Sequence, residues 1–250
     1  MDGLKKYFIY GLVLILAFGV RVWKLDKIPP HLSNDEISIA FDTVSVAELG
    51  KDEHGNFLPL AFESHSTYKS PLYAYLSMPL VKIVGENEYG IRMLSAISGT
   101  VLVLVLMMVG KMWAGKNLGL IVGVLAALNP WNIYASRMAY EANLGVTMFA
   151  LGWWQAMRFW EERKTRQLFW AGIFLGLAVW AYHTFWLLSP LLAGGIIWQG
   201  RKIALKNWVI LRMALRIILI KGFMVLYHMR AWFTKQNTNG FLILTKNSWL

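Results

Sequence analysis

The chain has 250 residues, of which 57% are hydrophobic, and it carries 13 tryptophans and a net charge of +11. Soluble domains contain about 45–50% apolar residues and rarely hold several uncharged runs of membrane length, so this composition excludes an ordinary soluble domain. The absence of cysteine excludes disulfides and thiolate metal sites. The cations lie between the apolar runs, as membrane orientation requires, so nucleic acid is not expected as a partner.

The apolar runs predict an all-α polytopic membrane protein with six to seven transmembrane helices. Each run approaches the ~20 residues that cross a bilayer, and a helix satisfies its backbone hydrogen bonds within the segment. No small-residue cleavage site follows the first run, which is therefore expected to remain as an uncleaved span. The predicted spans are Tyr7–Val22, Ile91–Trp113, Leu118–Tyr134, Leu144–Trp160, Leu168–Tyr182, Phe185–Trp198 and, interrupted by basic residues, Trp208–Tyr227.

The distribution of charges predicts how these spans are oriented. If the chain crosses six times by residue 200, four basic clusters fall on one side, which is the cytoplasm by the positive-inside rule. The external side then receives residues 23–90, 135–143 and 183–184. Ten of the 14 acidic residues lie in the first of these loops, and none follows Glu162. The four basic clusters are Lys5/Lys6, Lys111/Lys116, Arg163/Lys164/Arg166 and Arg201/Lys202/Lys206.

The external loop 23–90 is predicted to contain amphipathic helices that lie along the membrane surface. Ser33 and Glu36 have the spacing of a capping box, in which each residue satisfies a backbone N–H group of the other. Apolar residues follow at helical spacing, and Gly50 is expected to end this helix.

A second helix is predicted in the same loop after a turn-rich section at residues 51–66. It is expected to begin with Pro71 at its first position, where the missing N–H group costs nothing, and to be disturbed at Pro79. Asn87 is of a residue type that favours the N-cap position, so it is expected to cap the helix of the second span.

Charged and polar side chains from separate parts of the chain converge on the outer interface in this topology. Charges at the edges of spans are costly unless they reach water or form pairs. A carboxylate there could accept the proton of an acceptor hydroxyl that attacks an anomeric carbon. Lys and Arg could hold a lipid-linked phosphate and stabilise its charge as it leaves. The candidate residues are Asp35, Glu36, Lys69, Arg92, Arg137, Glu141 and Asn143.

Each candidate also has a structural interpretation, and the residues alone leave both open. Asp35 and Glu36 lie in a first helical turn, where acids favour the helix dipole and a capping contact contributes about 1 kcal/mol. Arg137 and Glu141 are four residues apart and could form a simple helical ion pair. The side chains of Lys69 and Arg92 could merely extend their charges to the lipid headgroups.

Short motifs occur along the chain in the order Arg21-Val-Trp-Lys-Leu25, Pro29-Pro-His-Leu-Ser-Asn-Asp35-Glu36, Tyr68-Lys69-Ser-Pro71-Leu-Tyr73, Gly90-Ile-Arg92-Met-Leu-Ser95-Ala-Ile-Ser-Gly99, Asn129-Pro-Trp131 and Ser136-Arg137-Met-Ala-Tyr-Glu141-Ala-Asn143. In order and topology they resemble the amino-terminal half of the GT-C membrane glycosyltransferases. Among these enzymes, the motifs resemble those of the protein O-mannosyltransferase and lipid A aminoarabinose transferase superfamily. The resemblance covers about residues 1–195.

The resemblance implies a multi-pass enzyme of the cell membrane with its amino terminus in the cytoplasm. Such an enzyme moves a sugar from a polyprenyl (dolichyl-type) phosphate to a hydroxyl or phosphate acceptor on a protein, lipid or glycan at the external face. The resemblance also implies that Asp35 is the catalytic carboxylate of the first outer loop, with Glu36 beside it. The substrate-binding set that it implies consists of Lys69, Arg92, Arg137, Glu141 and Asn143.

The sequence predicts two unequal parts. Residues 1–200 are expected to form the transmembrane glycosyltransferase domain, and residues 201–250 an atypical basic tail without acids. Family members are usually much longer, so the tail indicates a fragment, a truncated product or a shifted reading frame. A non-catalytic remnant, or a protein that binds or transports a lipid phosphate, is the alternative function. Transporters place polar or broken helices at the bilayer midplane, whereas the polar groups here gather at the outer edge.

No metal ion is assigned from the sequence. Carboxylates occur near His31, His54 and His65, which permits a divalent metal. No tight spacing of ligands demands one, however.

Overall fold

Helices make up most of the computed structural model, which describes residues 2–52, 54–64 and 67–204. The predicted seventh span, Trp208–Tyr227, lies outside the described residues. The described elements in chain order are α1 (Asp2–Val22), α2 (Asn34–Leu49), β1 (Phe62–Ser64), β2 (Thr67–Lys69), α3 (Leu72–Val84), α4 (Glu88–Leu128), α5 (Pro130–Arg137), α6 (Glu141–Glu162), α7 (Thr165–Ala181) and α8 (Phe185–Ala204).

The two strands correct the expectation that the chain is entirely helical. β1 and β2 pair antiparallel with Phe62 opposite Lys69, in and just after the section predicted to be rich in turns. The Phe62 side chain is 1% exposed, so one side of the hairpin is anchored in the protein. Each strand has three residues, which is shorter than the alternating run of about four to eight residues that reveals a strand in a sequence.

Helix α4 contains the turn that was predicted between the second and third spans. Its backbone leaves helical geometry at residues 114–115, where Gly115 has a φ of +79°. The two legs of α4 pack closely on each other, since a Cβ atom at Gly119 would lie 2.8 Å from the carbonyl oxygen of Met107. Glycine at this position therefore permits the antiparallel contact of the two legs.

The third predicted span, Leu118–Tyr134, is wrong as a single helix. The backbone of Asn129 is extended, and Pro130 begins the separate helix α5. A residue before proline avoids the helical region, and the Asn129 side chain accepts the backbone N–H of Asn132 as an N-cap. The continuous apolar run thus concealed a break that the Asn-Pro dipeptide produces.

The predicted ends of the first loop helix are confirmed. Ser33 caps α2 through a complete capping box with Glu36, and Gly50 ends the helix with a left-handed φ of +66°. The predicted cap of α4 is also confirmed, because the Asn87 side chain accepts the backbone N–H of Gly90 at 3.0 Å.

Helix α3 runs further than predicted. It begins at Leu72, one residue later than predicted, with Pro71 as its N-cap, and it continues through Pro79 to Val84. Proline removes one hydrogen bond from the helix interior, yet α3 packs on both α2 and α4. Val81, just beyond the proline, is 1% exposed. Tertiary packing therefore maintains the helix where local propensity favours an end.

The two ends of the helical bundle are formed by different parts of the chain. At one end, the Tyr10 hydroxyl donates to the carbonyl oxygen of Lys116, at the turn within α4, over 2.7 Å. At the other end, the Arg137 guanidinium donates to carbonyl oxygens near the end of α1, including that of Val20 at 2.7 Å. This second end holds all the candidate residues described below.

Among the described residues, Glu88–Leu128 is the one helix long and apolar enough by itself to cross a membrane. Phe8–Val22, Leu72–Val84 and Phe185–Ile196 are shorter apolar helices. The multi-span topology and the cytoplasmic amino terminus stay predictions.

Cysteine labelling tests the predicted orientation. The chain lacks cysteine, so single cysteines at Glu48 and Glu161, both exposed, report separately on the two ends of the bundle. An impermeant maleimide is expected to label position 48 but not position 161 in intact cells, because the predicted topology places α2 outside the cell and the end of α6 in the cytoplasm. Permeabilised cells, in which both positions should react, provide the control. Labelling of position 161 alone in intact cells would reverse the topology.

Candidate functional site

Glu36 and Arg92 form a buried ion pair at the centre of the candidate site. Glu36 lies in the first turn of α2, and Arg92 lies near the start of α4. The Arg92 Nε donates to Glu36 Oε1 at 2.8 Å, and Nη2 donates to Oε2 at 3.2 Å. Both side chains are 0% exposed. This bidentate contact fixes the orientation of α2 against α4.

The remaining hydrogen bonds of this pair hold the loop that leads into α2. Glu36 accepts the backbone N–H groups of Ala139 at 2.9 Å and of Ser33 at 3.0 Å. An arginine side chain has five N–H donors, and here each has an acceptor within the protein. Beyond Glu36, Arg92 donates to three carbonyl oxygens, those of Leu25, Pro29 and His31.

The surroundings of Glu36 favour its ionised form. Burial alone would raise the pKa of this carboxyl group, but hydrogen bonds from Arg92, Ala139 and Ser33 and the charge of Arg92 together lower its pKa below the ordinary 4.5. Both carboxylate oxygens are already occupied by donors. The sequence predicted a catalytic role for Glu36 beside Asp35. Because donors occupy both of its oxygens, we interpret Glu36 instead as a positioning residue.

Arg137 joins the end of α5 to the end of α1. Its Nη2 donates to the carbonyl oxygens of Trp23 at 2.8 Å and Ile28 at 2.7 Å, and its Nη1 donates to that of Val20. The last carbonyl groups of a helix lack partners within the helix, so a cation placed there satisfies them. Arg137 is 6% exposed, and these contacts direct its guanidinium to the backbone.

Glu141 and Asn143 lie together in the first turn of α6. The Asn143 amide donates to the backbone carbonyl and the hydroxyl of Ser95 at 2.9 and 2.8 Å, which links α6 to α4. Glu141 is half-buried. Burial raises the pKa of the Tyr73 hydroxyl, and the nearby carboxylates of Glu36 and Glu141 raise it further. Glu141 therefore belongs to the same neighbourhood as the central ion pair.

Asp35 is exposed, in contrast to its neighbour Glu36. Successive residues of a helix point about 100° apart, so only one of two adjacent side chains can face the core. Asp35 lies in the first turn of α2, where the helix dipole favours a negative charge. Of the adjacent carboxylates, Asp35 is the one that an external substrate can reach.

Lys69 approaches α2 from the end of β2. Its Nζ atom donates to Ser38 Oγ and to Asp42 Oδ2, each at 2.5 Å. The Asp42 side chain is 5% exposed and that of Lys69 is 18% exposed. A lysine has three N–H donors, so these contacts leave one for a ligand. Asp35, Ser38 and Asp42 recur at helical spacing, which places Lys69 on the face of α2 that carries Asp35.

Ser38 and Asp42 are the residues of this arrangement that were not singled out on the sequence. Ser38 lies three residues after Asp35 and Asp42 lies four residues after Ser38, so the sequence shows that all three share a helix face. The sequence contains no signal for their contact with Lys69, which lies 27 residues beyond Asp42.

Within residues 2–52, 54–64 and 67–204, no three potential metal ligands come together. The His54 imidazole lies 4.0 Å from a carboxylate oxygen of Glu63. His65 lies outside the described residues. We assign no ligand to a metal ion.

Residues 68–228 match the family model for dolichyl-phosphate-mannose-protein mannosyltransferase, a class of membrane glycosyltransferase. Because the match covers more than half of the chain, the chain belongs to this family, and the relationship inferred from the motifs is confirmed. No curated protein and no solved structure shows a significant match. Asp35 and Glu36 precede the matched stretch, which contains Lys69, Arg92, Arg137, Glu141 and Asn143.

Proposed function

We propose that this protein transfers a sugar from a polyprenyl phosphate to an acceptor hydroxyl at the external face of the cell membrane. Asp35 accepts the hydroxyl proton while the hydroxyl oxygen bonds to the anomeric carbon. The bond between that carbon and the phosphate oxygen breaks, and the polyprenyl phosphate leaves with the electron pair. Lys69 stabilises the charge of the departing phosphate.

The different environments of Asp35 and Glu36 carry this proposal. A catalytic base must come within hydrogen-bonding distance of the hydroxyl that it deprotonates. Glu36 is 0% exposed and is held by Arg92, whereas Asp35 is exposed on the same helical turn. The buried pair thus holds α2 in place, and the helix presents its neighbouring carboxylate outward.

Lys69 is the cation that we assign to the carrier phosphate. Its ammonium group is partly exposed and is oriented by Ser38 and Asp42. The phosphate of a polyprenyl carrier lies at the membrane surface while the hydrocarbon tail stays in the lipid. A lysine at the outer edge of the bundle can therefore contact the phosphate without moving it from the interface.

We assign supporting roles to the two arginines of the predicted substrate-binding set. Arg92 and Arg137 direct their donors to a carboxylate and to backbone carbonyl oxygens, and both are almost fully buried. They hold the loop between α1 and α2 in the shape that presents Asp35. Glu141 is proposed to contact the substrate, and Asn143 supports the first turn of α6 through Ser95.

Lys69→Ala is expected to weaken binding of a short-chain polyprenyl phosphate about tenfold. A hydrogen bond to a charged group contributes about 1.5–3 kcal/mol, and the partial exposure of Lys69 places it at the lower end. Isothermal titration calorimetry in a neutral detergent measures the change. Lys69→Arg should retain most of the affinity, since it retains the charge.

Lys164→Ala provides the matched control for this measurement. Lys164 pairs with Glu162 next to the far end of α6, and its side chain is 66% exposed. It should bind the phosphate lipid as the unaltered protein does, because it lies at the opposite end of the bundle. An equal loss of affinity in both variants would indicate nonspecific charge attraction and would contradict the phosphate site at Lys69.

A further inference from the structure

Exposed tryptophans lie in two groups at opposite ends of the helical bundle. At the end that holds the candidate site, Trp23 follows α1, Trp131 lies in α5 and Trp186 lies in the first turn of α8. At the other end, Trp113 lies beside the turn within α4 and Trp198 lies in the last part of α8. Tryptophan is enriched where a membrane meets water, so the two groups indicate the levels of two membrane surfaces.

Contacts within the bundle bring the first group of tryptophans to one end. Arg137, the last residue of α5, donates to the carbonyl oxygen of Trp23 at 2.8 Å. A Cβ atom at Gly145, near the start of α6, would lie 2.6 Å from the Phe185 ring, so α8 begins beside the start of α6. The Lys24 ammonium group lies 4.9 Å from the ring centre of Trp23. Such a pairing of an aromatic ring with a cation suits the level of the lipid headgroups.

Exposed apolar side chains connect the two groups along three segments: α1, the second leg of α4 (residues 116–128) and α8. On each segment they recur at helical spacing, which places them on one face. Because exposed apolar faces mark surfaces that contact a membrane, we expect lipid chains to cover these three faces. The faces include Leu12 and Ile15 on α1, Leu125 and Leu128 on α4, and Leu187 and Leu191 on α8.

These three segments are short for a bilayer. The part of α8 from Trp186 to Trp198 is about 18 Å long at the rise per residue of an α-helix. The second leg of α4, between Gly115 and Asn129, is about 20 Å long, and the apolar part of α1, Phe8–Val22, is about 22 Å long. The hydrocarbon core of a typical bilayer is about 30 Å thick, and a tilted helix reaches even less far across it.

Helices α6 and α7 agree with this dimension. Helix α7 has 17 residues, which corresponds to about 25 Å. Helix α6 has 22 residues, but Glu141 begins it and charged side chains occupy its last turn, from Arg158 to Glu162. Its uncharged part is therefore about 24 Å long.

The first leg of α4 is longer, but its start is covered by protein. Arg92 is buried against Glu36 of α2, and the Tyr73 hydroxyl of α3 donates to the carbonyl oxygen of Ile91 at 3.0 Å. This part of α4 therefore belongs to the loop region beyond the first group of tryptophans. The length that faces lipid is set by α1, the second leg of α4 and α8.

We propose that this protein selects phospholipids with short acyl chains, which surround α1, the second leg of α4 and α8 as a thin zone of bilayer. A thicker bilayer would draw polar groups at the ends of these segments into hydrocarbon, including the exposed side chains of Lys24 and Asn129. Short chains avoid this mismatch. The inference goes beyond the proposed sugar transfer and depends only on the predicted membrane spans.

Competition between lipids tests this inference directly. The full chain is reconstituted in brominated dioleoyl-phosphatidylcholine, whose bromine atoms quench tryptophan fluorescence, and unbrominated phosphatidylcholines then compete for the protein surface. The relative affinity is expected to fall from dimyristoleoyl through dioleoyl to dierucoyl chains, by at least about threefold over the series. The headgroup is the same throughout, so only chain length differs. Equal affinities, or a maximum at dioleoyl or longer chains, would overturn the inference.

A lengthened variant shows whether the helical segments set this preference. Asn117 is exposed and lies four residues before Ile121 on the lipid-facing side of α4. Lys116→Leu with Asn117→Leu extends that apolar face by about one turn and should move the highest affinity towards longer chains. An unchanged series would mean that segment length does not determine the preference, which also contradicts the inference.

The matched control places the same two substitutions outside the predicted spans. Lys51→Leu with Asn34→Leu alters exposed residues of the outer loop and should leave the lipid series unchanged. An equal shift in both variants would show that overall hydrophobicity governs lipid choice, and the inference would fail.

The lipid competition contains neither sugar donor nor acceptor, so its outcome is separate from the proposed function. Lys69→Ala should leave the chain-length series unchanged. Failure of Lys69→Ala to weaken binding of polyprenyl phosphate, with the preference for short chains intact, would count against the donor site alone. A flat chain-length series with normal polyprenyl phosphate binding would overturn the present inference alone.

Discussion

Asp35→Asn is expected to lower the rate of sugar transfer by about 10²–10⁴-fold, the usual contribution of a general base. The amide has nearly the shape of the carboxylate but cannot accept a proton at neutral pH. Because Asp35 is exposed, the substitution should leave the fold and the affinity for polyprenyl phosphate unchanged. The assay measures transfer of a sugar from a dolichyl-phosphate-linked donor to a short serine-containing peptide, together with thermal unfolding in detergent.

Asp26→Asn is the matched control, since Asp26 is also an exposed carboxylate of the loop that leads into α2. It should transfer sugar at the unaltered rate. Asp35→Glu should lie between the two, because it keeps the base but moves it by one methylene group. Equal transfer by Asp35→Asn and the unaltered protein would exclude Asp35 as the base without changing the family to which the chain belongs.

The predictions that succeeded depend on groups close together in the chain. The capping box of α2 involves Ser33 and Glu36, and the αL end of that helix involves only Gly50. Such patterns specify a few neighbouring hydrogen bonds, so side-chain chemistry and spacing suffice to predict them. The turn within α4 was also predictable, because Gly115 and polar residues interrupt an otherwise apolar run.

The burial of Glu36 and the exposure of Asp35 could not be predicted in the same way. Which of two adjacent side chains faces the core depends on the rotation of α2 about its axis. That rotation is determined by the contact of Glu36 with Arg92, 56 residues away in the sequence. The family resemblance favoured Asp35 as the base and the capping box favoured a supporting role for Glu36, but the burial of one carboxylate and the exposure of the other follow only from this packing.

The sequence contains a signal for the break at Asn129, but the apolar pattern around that residue is stronger. The Asn-Pro dipeptide favours a helix boundary, but apolar residues continue on both sides of it. Hydropathy reports whether a segment is apolar and not whether its backbone is continuous. The separate helix α5 is important for the site because its last residue, Arg137, holds the end of α1.

Glu36→Gln is expected to lower the free energy of unfolding by about 3–5 kcal/mol, because it leaves the Arg92 charge buried without its counterion. This exceeds the contribution of about 1 kcal/mol expected from a capping contact alone. Both partners are 0% exposed, so water does not screen the loss. Equilibrium unfolding in mixed detergent micelles measures the difference, and Glu48→Gln, exposed on the same helix, should change it little.

A double-mutant cycle shows whether the loss belongs to the pair. Arg92→Gln should also be strongly destabilising, because it leaves Glu36 unpaired and removes donors from carbonyl oxygens of the loop before α2. The double variant should lose less than the sum of the two single losses, by about 1–3 kcal/mol. Strict additivity would mean that the two side chains contribute independently and would contradict the ion pair as the element that positions α2.

The pH dependence of stability provides a separate test of Glu36. Its pKa in the folded protein lies below the ordinary 4.5, so the unfolded chain binds this proton first as the pH falls. The ionised carboxylate therefore contributes stability that is fully present above the ordinary pKa and is lost as the pH falls through the folded value. Unfolding measured between about pH 6 and pH 3 should show a steeper acid-induced loss for the unaltered protein than for Glu36→Gln. Parallel curves for the two proteins would show that this carboxylate is not the group whose ionisation stabilises the site.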